Sequence, residues 1–208
     1  MSKPDGLRNQ KKAETRQAIS NIATRLFVER GFENVSVAEV AREAGVARKT
    51  VFNYFLRKEQ LFFDREEEVR ALVREAISKR GNQPPVEAFQ VLMRALIETD
   101  HPVFRMSDRP VAFWRTVVES PALTTYAREL QVTLADDLAG MLAEAVDSPA
   151  GDPDARLAAA MLVSTLVVAY GDALRAFREK QPPVAAFAKV MERGFGGVNA
   201  TIAGTPYA

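Results

Sequence analysis

Gly31 and Gly45 stand so close together that only one short helix fits between them, and this spacing constrains the N-terminal part of the chain more than any other feature. Upstream, Ile19, Ile22, Ala23, Leu26 and Phe27 recur at three- and four-residue intervals. They place one apolar stripe on a helix that Gly31 can end in a left-handed cap, with Phe32 folding back as the accompanying contact. Downstream, Ser36 offers an N-cap with Glu39 as its capping-box partner, and Val35 and Val40 sit where a hydrophobic staple closes. The helix begun there runs only until Gly45. Val46 then turns inward, and a third short helix is expected over roughly residues 47–55.

Two short helices joined by a glycine turn have the spacing that lets one helix brace another in the DNA major groove. At 100° per residue, Val51 and Phe55 share the packing face of the third helix, so Lys49 and Asn53 point away from it. Thr50, Phe52 and Tyr54 flank that outward face, and Arg48 lies at the helix start. Arginine and lysine donate to guanine O6 and N7, and asparagine pairs with adenine, which makes Arg48, Lys49 and Asn53 the base-reading candidates. Ser36, Thr50, Tyr54 and Lys58 suit phosphate contacts, which set register without reading sequence; Val37 and Phe52 complete the expected DNA-binding set. Lys12 and Arg16 read as a solvated face. Residues 1–60 carry 12 Lys and Arg against 7 Asp and Glu, whereas the remainder carries 16 against 20, so the positive charge sits where a polyanion is expected to bind.

The ordered series Gly31-Phe32, Ser36-Val37, Val40-Ala41, Gly45-Val46, Thr50-Val51-Phe52, Tyr54-Phe55, Lys58-Glu59 and Leu61 resembles the headpiece signature of the TetR family over its whole length. The resemblance covers about residues 13–63. It implies a homodimeric repressor that binds a palindromic operator and is released when a small molecule occupies a variable C-terminal domain. The chain departs from the family pattern at two positions. Phe52 stands where a tyrosine is usual and lacks the hydroxyl that reaches a phosphate, and Ala47 stands where a capping Ser or Thr is common.

Beyond the headpiece the pattern stays helical. A long amphipathic helix is expected from Lys58 to about residue 80, linking a headpiece of residues 1–57 to a larger helical domain of residues 58–208. Further helical stretches span roughly 86–99, 111–119, 123–146, 153–179 and 184–202, broken at prolines. No stretch alternates with period two between hairpin turns, so the expected class is all-α: a three-helix helix-turn-helix domain followed by a ligand-binding and dimerisation domain. The absence of cysteine excludes disulfides, thiolate metal sites and cysteine nucleophiles and fits a reducing cytoplasm, and His101 is the only histidine. No cofactor, metal site or catalytic constellation is expected, and the apolar run 158–170 reads as buried helix because it is short of the roughly 20 residues a membrane span needs.

Phe89, Met93, Phe104, Phe113, Trp114, Met141 and Tyr170, with Arg105 and Arg115 to receive an acidic group, are the candidates for lining an apolar effector pocket. The last two helices are the expected dimer surface, because residues 157–177 are apolar almost all round and rich in Ala and Gly. An alternative reading is a constitutive or architectural DNA-binding protein whose C-terminal domain only dimerises or binds a protein partner.

Overall fold

The computed structural model describes residues 4–99, 101 and 108–208. Among them the fold is all-helical: α1 (Pro4–Arg30), α2 (Val37–Glu43), α3 (Arg48–Tyr54), a 3₁₀ turn (Lys58–Leu61), α4 (Glu66–Ser78), α5 (Pro85–Glu98), α6 (Asp108–Glu119), α7 (Pro121–Ala145), α8 (Pro153–Arg178) and α9 (Pro183–Thr201). α5, α7, α8 and α9 each begin on a proline, whose missing N–H has no intrahelical partner in the first turn anyway. The chain divides into two compact units. The first holds the residues up to Glu66 together with Ala112–Tyr126, and the second holds Glu67–Val111 and Ala127–Ala208. The division thus falls later than residue 57 and groups the α6–α7 corner with the headpiece.

The core of the first unit is the stripe read from the sequence. Ile19, Ala23, Leu26 and Phe27 on α1 are buried with Phe32, Val35, Val40, Val51, Phe55, Leu61 and Phe62. Gly31 ends α1 with φ +84°, its N–H donating to the Phe27 carbonyl at 2.9 Å. At the end of α2 the N–H groups of Gly45 and Val46 donate to the carbonyls of Arg42 and Ala41, the two-bond pattern of a Schellman cap, with Gly45 at φ +64°.

The expectation of one helix from Lys58 to about residue 80 is corrected. Lys58–Leu61 forms a separate 3₁₀ turn, and α4 begins only at Glu66. The Gln60 side-chain oxygen accepts from the N–H groups of Leu56 at 2.7 Å and Arg57 at 3.2 Å, and those of Phe62 and Phe63 donate back to the Glu59 carbonyl. α1 holds this turn in place. Buried Ser20 donates to the Leu61 carbonyl, and Arg16 donates to the Asp64 carbonyl at 2.8 Å with its guanidinium over the Phe55 ring. Arg16 is therefore a bracing residue and not part of a solvated face. α4 itself has 13 residues and spans about 20 Å at 1.5 Å per residue, well short of the roughly 35 Å expected of a continuous helix.

In the second unit, α8 and α9 pack closely. Ala155, Ala158, Ala159, Leu162, Val163, Ala169 and Ala173 of α8 and Phe187, Met191, Phe195 and Val198 of α9 are buried in one core with Phe89 and Met93 of α5 and Leu138 and Leu142 of α7. α8 is long and apolar enough, by length and composition, to cross a membrane. Here it serves as a core helix on one side only, leaving Leu157, Val167 and Val168 exposed. Polar ties join the other helices: Arg70 of α4 pairs with Asp137 of α7 at 2.7 Å, Arg80 donates to the Ala145 carbonyl, and Gln90 of α5 donates to Asn199 of α9 at 2.7 Å. Arg94 and Glu192 form a two-pronged pair at 2.7 and 2.9 Å.

α8 and α9 approach tightly at Gly194, where an added Cβ would overlap the Thr165 side chain and lie 2.8 Å from its Cβ. Gly194→Ala is therefore expected to destabilise the second unit by about 1–3 kcal/mol, the usual cost of overpacking, although alanine is the better helix former. Denaturant titration checks this; a stabilised variant would show that the helices part at no cost.

Candidate nucleic-acid interface

α2 and α3 gain their relative position from caps at three of their ends. Ser36 accepts at Oγ from the Glu39 N–H at 3.2 Å, while the Glu39 carboxylate accepts from the Ser36 N–H and Oγ, each at 2.8 Å. These bonds hold the Glu39 carboxyl below the ordinary glutamate range, the Ser36 backbone bond contributing most. Val35 and Val40 are both buried beneath this cap, closing the staple. Ala47 precedes α3 without a side-chain cap, and Phe55 closes α3 through its N–H to the Val51 carbonyl at 2.9 Å.

Two predictions follow from the α2 cap. Ser36→Ala is expected to lower the stability of the first unit by about 1 kcal/mol. The depressed carboxyl of Glu39 makes its contribution above the ordinary glutamate value and loses it as pH falls through the lower, folded value. The thermal midpoint of Glu39→Gln is accordingly expected to differ from that of the unaltered chain by a constant amount near neutral pH. The difference should shrink in acid, and a gap that is flat down through the carboxylate range would contradict the assignment.

On α3, Val51 is buried and Phe55, its C-cap, is buried as well, whereas Arg48, Lys49, Phe52 and Asn53 are exposed and Thr50 and Tyr54 half-buried. Lys49 and Asn53 therefore lie on the free face that the helical wheel assigns to them. The Arg48 guanidinium lies over the Phe52 ring, 5.4 Å from its centroid. Ser36 is exposed and Val37 half-buried at the start of α2. This set presents two long cations, an amide, a hydroxyl and an exposed aromatic on one short helix and the cap before its partner, donors suited to base edges and phosphates.

Lys58 sits differently from the others. Its Nζ donates to the Phe32 carbonyl at 2.5 Å and lies over the Phe32 ring at 4.0 Å, and burial pushes its ammonium below the usual lysine value against the opposing pull of Glu33 and Glu59. In this arrangement it braces the α1–α2 turn. Sequence reasoning missed the partners of that turn. Ser120, buried at the α6–α7 corner, donates to Glu33 at 2.7 Å, and its Oγ also accepts from the Leu123 N–H. Phe113 of α6 stacks on Phe62 with centroids 4.1 Å apart and planes within 2°. The Arg57 guanidinium lies 4.7 Å from the centroid of the Tyr126 ring.

The effector candidates are divided by the fold. Phe104 and Arg105 lie outside the described residues. Phe113, Trp114 and Arg115 belong to the first unit, where Phe113 is engaged by Phe62 and Phe63 and Arg115 is exposed. Phe89, Met93, Met141 and Tyr170 belong to the second, with Phe89 and Met93 inside its core. Burial raises the Tyr170 phenol well above its ordinary value, and its ring meets Phe187 edge-on at 5.0 Å. Among the described residues, a groove of about 290 Å³ lies between α8 and α9, lined by Ser164, Thr165, Val168, Val190, Arg193 and Gly194. A second, of about 260 Å³, is lined by Val86, Glu87, Asn199, Tyr207 and Ala208, and neither includes an effector candidate.

Residues 19–64 match the family model described as bacterial regulatory proteins, tetR family. The transcriptional regulator MftR of Mycobacterium tuberculosis is 44% identical over 48 residues, which cover 23% of this chain and 24% of MftR. The match thus spans about a quarter of the relative's length and is confined to the headpiece. Two solved structures extend the likeness to the whole fold. NalD, the secondary repressor of the MexAB-OprM multidrug efflux pump in Pseudomonas aeruginosa, superposes with a TM-score of 0.57 at 20% identity, covering 89% of this chain and 97% of that one. FadR of Thermus thermophilus, a TetR-family repressor solved in complex with lauroyl-CoA, gives 0.55 at 24% identity, covering 88% and 94%. At these identities the two structures speak for the fold alone.

Proposed function

We propose that the chain, which carries a headpiece matching the TetR-family model on a fold like that of NalD, is a TetR-family regulator: a cytoplasmic transcriptional repressor that binds a palindromic operator as a homodimer. The observation that carries this reading is the outward face of α3, where Arg48, Lys49 and Asn53 stand exposed while Val51 is buried against the rest of the first unit. Those three read bases in the major groove; Ser36, Val37, Thr50, Tyr54 and Lys58 hold the phosphates or the residues that touch them.

The homodimer forms through α8 and α9. Leu157, Val167 and Val168 of α8 and Val184 of α9 are between 42% and 59% exposed, an apolar surface that a second copy covers in a four-helix bundle. A small, largely apolar effector binds the second unit and releases the operator by favouring a state in which the headpieces no longer match successive grooves.

In vitro selection of bound DNA from a random pool tests the reading. The expected product is an inverted repeat whose half-sites are centred about 34–36 Å apart or at a comparable groove spacing. Binding that is salt-sensitive but shows no sequence preference would overturn it.

A further inference from the structure

We propose that Phe52 is a base-reading residue: its ring packs on the C5-methyl group of a thymine and at the same time holds the Arg48 guanidinium toward a guanine close by. The inference rests on the DNA-binding reading above and adds the bases that are read.

Phe52 is 39% exposed and lies on α3 between Lys49 and Asn53, the two residues that point farthest from the core. The phenylalanines on either side of it in the first unit are handled differently. Phe55, Phe32 and Phe62 are buried to within 3% and make the core. Phe52 alone among these leaves its ring on the free face of the helix, where its described ring partner is Arg48, 5.4 Å from the centroid and one turn earlier. Residues four apart on a helix share a face, and a guanidinium over an aromatic ring loses orientational freedom. The ring has no hydroxyl, so it has no donor for a phosphate, and what it offers DNA is apolar area.

The major groove contains one apolar group on a base edge, the thymine methyl, and phenylalanine is among the side chains that contact it. Arginine held beside that ring reaches the O6 and N7 acceptors of guanine. Residues 48 and 52 lie about 6 Å apart along the helix axis at 1.5 Å per residue, against a step of about 3.4 Å between bases on one strand. The thymine and the guanine therefore lie one or two steps apart in each half-site.

The test uses the full chain and the operator obtained by selection, with each thymine replaced in turn by deoxyuridine, which removes the methyl and nothing else. One symmetry-related pair of thymines is expected to lose about 4-fold in affinity per methyl removed, the effect of one buried methyl group. Phe52→Ala is expected to abolish the distinction between thymine and uracil at that pair and to relax the preference for the guanine. Phe52→Leu keeps apolar contact without a ring, and is expected to retain most of the thymine preference while relaxing the guanine preference. Phe52 is exposed, so both variants should melt with the unaltered chain, which separates a lost contact from a lost fold. The inference is overturned if no thymine is sensitive to uracil, or if Phe52→Ala still discriminates at the sensitive pair. A selection that returns no preferred sequence overturns the DNA-reading premise as well, so the two failures are distinguishable.

Discussion

Phe62→Ala is expected to destabilise the first unit by about 3–5 kcal/mol, the usual cost of deleting a buried phenylalanine. Phe62 is 2% exposed, meets Phe27 and Phe63 edge-on at 5.9 and 6.0 Å, and stacks face to face on Phe113. It follows the 3₁₀ turn directly, so its ring fixes the chain between α3 and α4 to the α6–α7 corner within the same unit. Against a total stability of roughly 5–15 kcal/mol for an ordinary domain, such a loss is a large fraction. Urea titration followed by circular dichroism measures it, with operator affinity falling in the same variant. A cost under about 1 kcal/mol would mean that the aromatic cluster collapses around the gap and is not what holds the corner.

Val168→Glu is expected to yield a monomer and to weaken operator binding by about 100-fold or more, because each headpiece then binds its half-site without the effective concentration that the other supplies. Val168 is 59% exposed on α8 beside Val167, so the chain on its own makes little use of its side chain. A single copy should therefore melt almost as the unaltered protomer does, and the loss should be read in sedimentation and in DNA affinity. A variant that stays dimeric, or one that binds the operator undiminished, places the dimer contact elsewhere.

The parts of the fold that were legible in the sequence are those encoded locally. The Gly31 and Gly45 caps, the Ser36–Glu39 box and the alternation of Val51 and Phe55 with outward Lys49 and Asn53 each involve residues within one or two turns. They hold in the structure as the spacing indicates. The break between Lys58 and Glu66 was hidden because Leu61, Phe62, Val69, Leu72 and Val73 keep helical spacing across it. At the break itself the Leu61 and Asp64 carbonyls accept from Ser20 and Arg16 of α1, more than forty positions away in the sequence. The α6–α7 corner was hidden for a different reason: Ser120 and Glu33 are 87 positions apart, and Phe113 carries no local mark that its ring lies on Phe62. The effector candidates share only large, mostly apolar side chains, and residue type does not separate a cavity wall from a filled core. Phe89 and Met93 are 3% and 1% exposed and pack with α7, α8 and α9.

Base reading by the outward face of α3 is tested by repeating the DNA selection with Lys49→Ala and Asn53→Ala beside the unaltered chain at one fixed salt concentration. Each variant is expected to recover the same inverted repeat with preference relaxed at one symmetry-related pair of positions, at a cost of about 1–3 kcal/mol for the base no longer read. Variants that weaken binding equally at all sequences, with every base preference intact, would contradict it and reduce Lys49 and Asn53 to general contacts with the DNA backbone.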